Sequence, residues 1–333
     1  MKYFFTNLKF NSIIKNGTRM KFYLGVTDTD WFRNLRALNP EDVNYWQPSG
    51  KPLIGLDRGA PFLFKLKAPY RKIGGVGFFS TFASFPLNIV WDAFGQRNGF
   101  STKTELVNRI IAYRTKNHVA SDPTLTIGCI VLTDPIFFND DEMIPLPASW
   151  DDHTVKGKFY YDSEEDGAYL WDSVKLVLAA RRFFDCKEES EEFPIAIQDP
   201  AYRQVASKVR IGQGAFRLMV TEAYERACAI TGDHTLPVLE AAHIRPYAES
   251  GPHLVNNGLL LRADLHKLFD EGYMTVTPDY HVEISPAIRE EFNNGRIYYS
   301  LHGQKLSKVP NRAVERPNRQ FLIWHNENIF KAG

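Results

Sequence analysis

Three cysteines in 333 residues, Cys129, Cys186 and Cys228, stand far apart, and none forms a Cys-x-x-Cys pair. A disulfide framework is not indicated, and a zinc site built on paired thiolates is excluded. Cys228 is expected to be a small buried residue and not a metal ligand. Charge of one sign is also lacking: 40 Lys and Arg against 39 Asp and Glu leave a formal net charge of +1. That excludes a protein that coats nucleic acid through a global positive field, so any contact with phosphate must be local. No apolar run approaches the roughly 18 residues that a membrane helix needs. The apolar stretches of residues 1–19 are too short and broken for a signal peptide, and the expectation is an intracellular, cytoplasmic protein. Gly74, Gly75 and Gly77 cluster, but no Lys-Ser or Lys-Thr follows and no βαβ pattern surrounds them. They read as tight packing or a bulge between strands and not as a phosphate loop.

What is present suits a globular protein of two domains, with 44% hydrophobic and 24% charged residues. Residues 1–19 read as a separable N-terminal extension. Residues 20–182 follow an α+β pattern, with strand-like runs at 22–26, 61–66, 76–82 and 125–132 and helical periodicity at 102–113 and 169–183. Strands of mixed length with few helices imply a small β-barrel or curved sheet. Residues 183–205, with Glu188, Glu189, Glu191, Glu192, Pro194 and Pro200, read as a charged linker. The second domain is expected over 206–333. It begins with a helix over 206–226 that places Phe216, Val220 and Tyr224 on one face.

The stretch 239–270 organises this second domain. Apolar residues lead to His243, a polar loop with Gly251 and Pro252 follows, and a second apolar run, Leu259-Leu260-Leu261, comes after it. From Ala263 the positions Leu265, Leu268 and Phe269 fall at helical spacing and leave His266 on another face. Strand, loop, strand and helix in this order can aim His243, Asn257 and His266 at one phosphate.

This order resembles the HNH nucleases, the ββα-metal family. The likeness runs through Cys228-Ala229-Ile230-Thr231-Gly232, Glu240-Ala241-Ala242-His243-Ile244, Asn257-Gly258-Leu259 and His266 with Phe269, Asp270 and Gly272. It extends more weakly to Gly212-Gln213, Phe216-Arg217 and Trp324-His325. The resemblance implies that His243 is a general base, that His266 is a metal ligand and that Asn257 braces the loop. A base with an ordinary pKa near about 6.5 suits proton abstraction at neutral pH. Phosphodiester hydrolysis also needs a cation for the charge that builds on phosphate, here expected to be Mg²⁺ or Mn²⁺. Many members carry a metal-binding Asp or His just before the base. Here that position is Ala242, and Glu240 is the candidate substitute ligand. Arg245 and Arg262 are the candidate DNA contacts.

A second resemblance covers the first domain. Gly25-Val26-Thr27-Asp28 with Asp30-Trp31-Phe32, the run Phe62-Leu63-Phe64-Lys65-Leu66, Gly74-Gly75-Val76-Gly77-Phe78-Phe79 and Ile127-Gly128-Cys129-Ile130-Val131-Leu132 are similar to the PUA superfamily, which includes EVE, ASCH and SRA-type domains. Several such domains hold a flipped modified base between aromatic walls. Trp31, Tyr45, Trp46 and Asp30 are the candidate pocket residues.

Together the two resemblances imply a modification-dependent restriction endonuclease that reads modified cytosine in double-stranded DNA, such as phage DNA, and cuts it with a metal-assisted HNH site. One such site cuts one strand, so a homodimer is expected for double-strand cleavage. Two alternatives stand: an HNH nuclease that reads unmodified sequence, RNA or a backbone modification, and a non-catalytic nucleic-acid-binding protein with a degenerate HNH fold.

Overall fold

The computed structural model describes residues 19–49, 55–119, 122–185, 212–292 and 294–332. The chain divides into two compact units, residues 1–87 with 94–209 and residues 88–93 with 210–333. Residues 1–18 of the expected extension, 186–205 of the expected linker and 206–211 of the expected lead-in helix lie outside the described residues. Among the described residues no helix is long and apolar enough to cross a membrane.

Up to residue 185 the elements are β1 (Lys21–Thr27), α1 (Thr29–Leu38), β2 (Asp42–Gln47), β3 (Pro61–Leu66), β4 (Ile73–Phe85), α2 (Leu87–Phe94), α3 (Lys103–Lys116), β5 (Ile127–Phe137), β6 (Gly157–Tyr161) and α4 (Glu165–Asp185). The six strands form one mixed sheet in the order β2-β5-β4-β3-β1-β6. Only β1 and β3 run parallel. Closure into a barrel would require β2 and β6 to pair, and among the described residues each is paired with a strand on one side only. The barrel form of the expectation is therefore corrected to an open sheet. The sheet is bent where β4 shifts register between Val76 and Phe78 and between Phe79 and Thr81.

Alternation along the strands covers both faces of this sheet. Phe22 meets Trp171 of α4 at 6.2 Å on one face. Its neighbour Tyr23 points the other way onto Phe62 at 5.2 Å, and Phe64, on the same face of β3, meets Trp31 of α1 at 5.4 Å. β3 is buried along its whole length as a result. Gly74 and Gly75 fit this packing. A Cβ on Gly74 would lie 2.7 Å from Leu66 Cδ1, and one on Gly75 would strike the Ile136 carbonyl. β5 starts two residues later than the expected run because the Asp122 carboxylate holds a turn, accepting from the backbone N–H groups of Thr124 (3.0 Å) and Thr126 (2.6 Å). It continues past Pro135 because the register with β4 shifts there, which absorbs the missing N–H.

The second unit carries α5 (Gln213–Ala223), β7 (Leu239–His243), β8 (Gly258–Arg262), α6 (Ala263–Asp270), β9 (Met274–Val276), β10 (Val282–Ile284), α7 (Ala287–Phe292), α8 (Arg296–Tyr299) and α9 (Arg319–Asn328). β7 and β8 pair antiparallel, with Leu239 opposite Arg262 and His243 opposite Gly258. α6 follows β8 directly, which completes a ββα unit. Leu265 and Phe269 bury one side of α6 and leave His266 on another. α5 presses Phe216 and Val220 onto the start of β8. A Cβ at Gly258 would come within 2.5 Å of Val220 and 3.0 Å of Phe216, so only glycine fits there.

α9 is tied to the end of α6 by His325, which is 2% exposed. Its ring stacks on Phe269 with centroids 3.7 Å apart. The Phe269 carbonyl, 3.1 Å from Nε2, can only accept, so Nε2 carries the proton and Nδ1 accepts from the Thr275 hydroxyl at 2.8 Å. Cys129 and Cys228 are buried thiols.

Candidate functional site

The pairing of β7 with β8 sets His243 beside Asn257, and the Ile244 N–H closes the pair by donating to the Asn257 carbonyl at 2.9 Å. Asn257 is fully buried. Its Oδ1 accepts from the Arg245 N–H at 2.9 Å, and its Nδ2 donates to the carbonyls of Arg245 and Pro252, each at 2.9 Å. One amide thus clamps the two ends of the loop that joins the strands.

The imidazole of His243 stacks flat on Phe216, with centroids 3.9 Å apart and planes 12° from parallel. Its Nε2 lies 2.8 Å from Nδ1 of His253, a loop residue. Burial, and then the proximity of His253 and His266, lowers the pKa of His243 to about 4. His253 is itself stacked on Tyr247, with centroids 4.5 Å apart and planes 11° from parallel.

His266 projects from α6 between two carboxylates. Nδ1 is 2.6 Å from Oε2 of Glu240 on β7, and Nε2 is 3.2 Å from Oδ2 of Asp270, one turn further along the helix. Two donors about 2.1 Å from one octahedral ion and a right angle apart are separated by about 3.0 Å. The spacing of His266 Nε2 and Asp270 Oδ2 matches that value, whereas the shorter contact with Glu240 is that of a charge-assisted hydrogen bond. Burial raises the Asp270 carboxyl above its ordinary pKa, against the opposing pull of His266 and Lys267. Among the described residues no group of three or more His, Cys, Asp or Glu is gathered that could hold a metal ion. Ala242 is fully buried and adds no donor. The donor set is thus an open edge, which suits a hard cation that keeps several waters and not a closed cage.

The two arginines stand differently. Arg262 is held by Asp264 in a fork, Nε to Oδ1 at 3.0 Å and Nη2 to Oδ2 at 2.6 Å. Arg245 donates through Nε to the Glu249 carbonyl at 2.6 Å and lies over the Trp324 ring, 5.2 Å from its centroid. In the first unit, Trp31 is a core side chain whose indole N–H donates to the Asn44 carbonyl at 3.2 Å. Tyr45 packs between Trp31 and Phe62 and donates to the Val26 carbonyl at 2.7 Å. Asp30 is exposed and pairs with Arg109 at 3.2 Å. Trp46 is half-buried beside Phe100 at 5.9 Å, and its indole N–H has no partner among the described residues.

Three residues of the second-unit site receive no role from the sequence alone. Phe216 reads as ordinary helix core, and His253 lies in a loop without periodicity. Asp270 does carry a signal: it is four residues from His266, which places both on one helix face.

Comparison with known proteins adds the following. No curated protein matches the chain. The ASCH protein of Zymomonas mobilis aligns over 45% of this chain and 94% of its own, with 12% identity and a TM-score of 0.32. A point mutant of that protein aligns over 46% and 95%, with 11% identity and a TM-score of 0.31. The modification-dependent TagI restriction endonuclease aligns over 88% of this chain and 76% of its own, with 12% identity and a TM-score of 0.27. The family model described as HNH endonuclease matches residues 228–277. The segment that holds β7, the clamped loop, β8 and α6 is therefore an HNH endonuclease segment.

Proposed function

We propose that the chain is a modification-dependent restriction endonuclease, in which the second unit hydrolyses phosphodiester bonds of DNA and the first unit reads a modified cytosine. The observation that carries the nuclease half is the convergence of His243, Asn257 and His266 on one ββα unit inside the HNH segment. His243 is the general base and abstracts a proton from water. Asn257 holds the strand ends that position it. His266, through Nε2, and Asp270 would hold a Mg²⁺ or Mn²⁺ ion, with Nδ1–H of His266 donating to Glu240, which orients the ring. When bound, the ion stabilises the charge that develops on phosphate and the leaving oxygen. Arg245, two residues past the end of β7, would contact a phosphate, as would Arg262 on opening its fork with Asp264. The modified-base half rests on the PUA-like resemblance of the first unit, with half-buried Trp46 as the candidate stacking wall. A homodimer would cut both strands, and restriction of modified phage DNA in the cytoplasm would be its role.

Ala242 favours one other reading, a DNA-binding protein without cleavage. A single assay separates them. Matched DNAs carrying cytosine, 5-methylcytosine or 5-hydroxymethylcytosine are incubated with Mg²⁺, Mn²⁺ or EDTA, beside the His243→Ala protein. Metal-dependent cutting confined to modified DNA is expected. Equal cutting of all three would remove the modified-base reader and keep the nuclease. Binding without cutting under any condition would select the binding protein.

A further inference from the structure

We propose that His253 is the proton partner of His243, a positioning residue that acts through the base so that two imidazoles share the proton taken from water. The proposal rests on the nuclease reading above. The hydrogen bond between the rings uses Nε2 of His243 and Nδ1 of His253, 2.8 Å apart. No protein group among the described residues bonds the other nitrogen of His243, so Nδ1 is the nitrogen that the pair leaves for the proton of water. Abstraction there then proceeds as follows. Nδ1 takes one proton, and the hydroxide so formed bonds to phosphorus. The bond to the leaving oxygen breaks, and that oxygen takes a proton from solvent. The proton already on Nε2 moves across the bond to His253, so the pair gains one proton and one charge between them. Release of one proton to water resets it.

Three independent contacts hold the pair in line. Phe216 backs His243, Tyr247 backs His253, and Asn257 fastens Arg245 and Pro252, the residue just before His253. A surface histidine that met its neighbour by chance would need none of these. The 2.8 Å contact between the rings gives the abstracted proton a second site on half-buried His253. The titratable groups that act on His243 are His253 from the loop and His266 from α6. Tyr247 faces His253, and Phe216 brings no charge.

The test uses the full chain and two variants, His253→Gln, which keeps a hydrogen bond but cannot carry the proton, and His253→Ala. In wild type, nitrogen NMR of labelled histidine rings should show coupling across the His243–His253 bond. His253→Gln should cut DNA about 10–100-fold more slowly, with a displaced pH–rate profile and with DNA affinity and melting temperature unchanged. His253→Ala should be partly rescued by free imidazole. Cutting by His253→Gln at the wild-type rate across the pH range would overturn the relay, as would absence of the coupling. A slower rate matched by lost DNA affinity or a lowered melting temperature would also overturn it, by reducing His253 to a structural part. Wild-type protein that shows the coupling but cuts no DNA would instead overturn the nuclease reading and leave the pair.

Discussion

His243 and His325 are two solutions to placing a histidine in the same domain. Both rings lie flat on a phenylalanine, with centroids 3.9 and 3.7 Å apart, and both are driven down to about 4 by burial. They differ in what their nitrogens meet. His325 is nearly sealed, and both nitrogens are fixed, one by a carbonyl and one by a hydroxyl, neither of which titrates near neutrality. His243 is half-exposed, one nitrogen meets a second imidazole and the other has no protein partner among the described residues. A depressed pKa thus marks burial in both places, and only at His243 does it fall on a ring whose partner is itself an imidazole. The partners carry the distinction, and the size of the shift does not.

Removing each ring should break this comparison in opposite ways. If His243 is the proposed base, His243→Ala is expected to lower cleavage by about 10²–10⁴-fold, because a general base acts in the transition state and not in docking. DNA affinity, followed by fluorescence anisotropy, should stay near wild type, and an equal loss of both would reassign His243. Asn257→Ala comes next. It leaves the Arg245 N–H and two carbonyls without their partner and lets both loop ends drift, so cleavage should fall about 10–100-fold and stability by about 2 kcal/mol. Retained activity in urea-titrated, folded protein would show that the clamp is dispensable.

His325→Ala should do the reverse of His243→Ala, with about 3 kcal/mol lost in urea unfolding and little change in the cleavage rate of the folded fraction. A kinetic defect at full folding would place His325 in the chemistry. The smallest effect sharpens the comparison through pH. His325 is held neutral in the fold, with its pKa lowered from 6.5 to about 4, so the unfolded chain takes up the proton first on acidification. Its stabilising contribution is complete above 6.5 and is lost as pH falls to about 4, at most about 3 kcal/mol. His325→Gln should flatten that part of the stability curve, and an unchanged slope would mean that another group titrates.

Much of the ββα unit is legible in the sequence because its parts are local. The apolar runs before His243 and after Asn257 become β7 and β8, and the spacing of Leu265 and Phe269 gives α6 with His266 off its buried face. What surrounds His243 is not local. Phe216 reaches it from a separate helix and His253 from a loop, and neither periodicity nor turn chemistry encodes such meetings. In the first unit the strands at β1 and β3 are readable, but aromatic density near turns marks burial more often than a pocket. Trp31 falls on the buried side of α1 and Tyr45 between two rings of the core, which leaves Trp46 as the aromatic of that set with a polar atom unmet.

The amide of Asn257 closes the chain from Arg245 to Pro252 into a ring of its own. Residues 247–250, at the far side of that ring, are exposed. Tyr247 leans from that rim onto His253, and the Glu249 carbonyl accepts from Arg245, so the rim is coupled to the histidines at two points. Ala248, exposed between them, marks a seam where a fluorophore would ride on the second unit as cargo, beside the stack whose disturbance it would report.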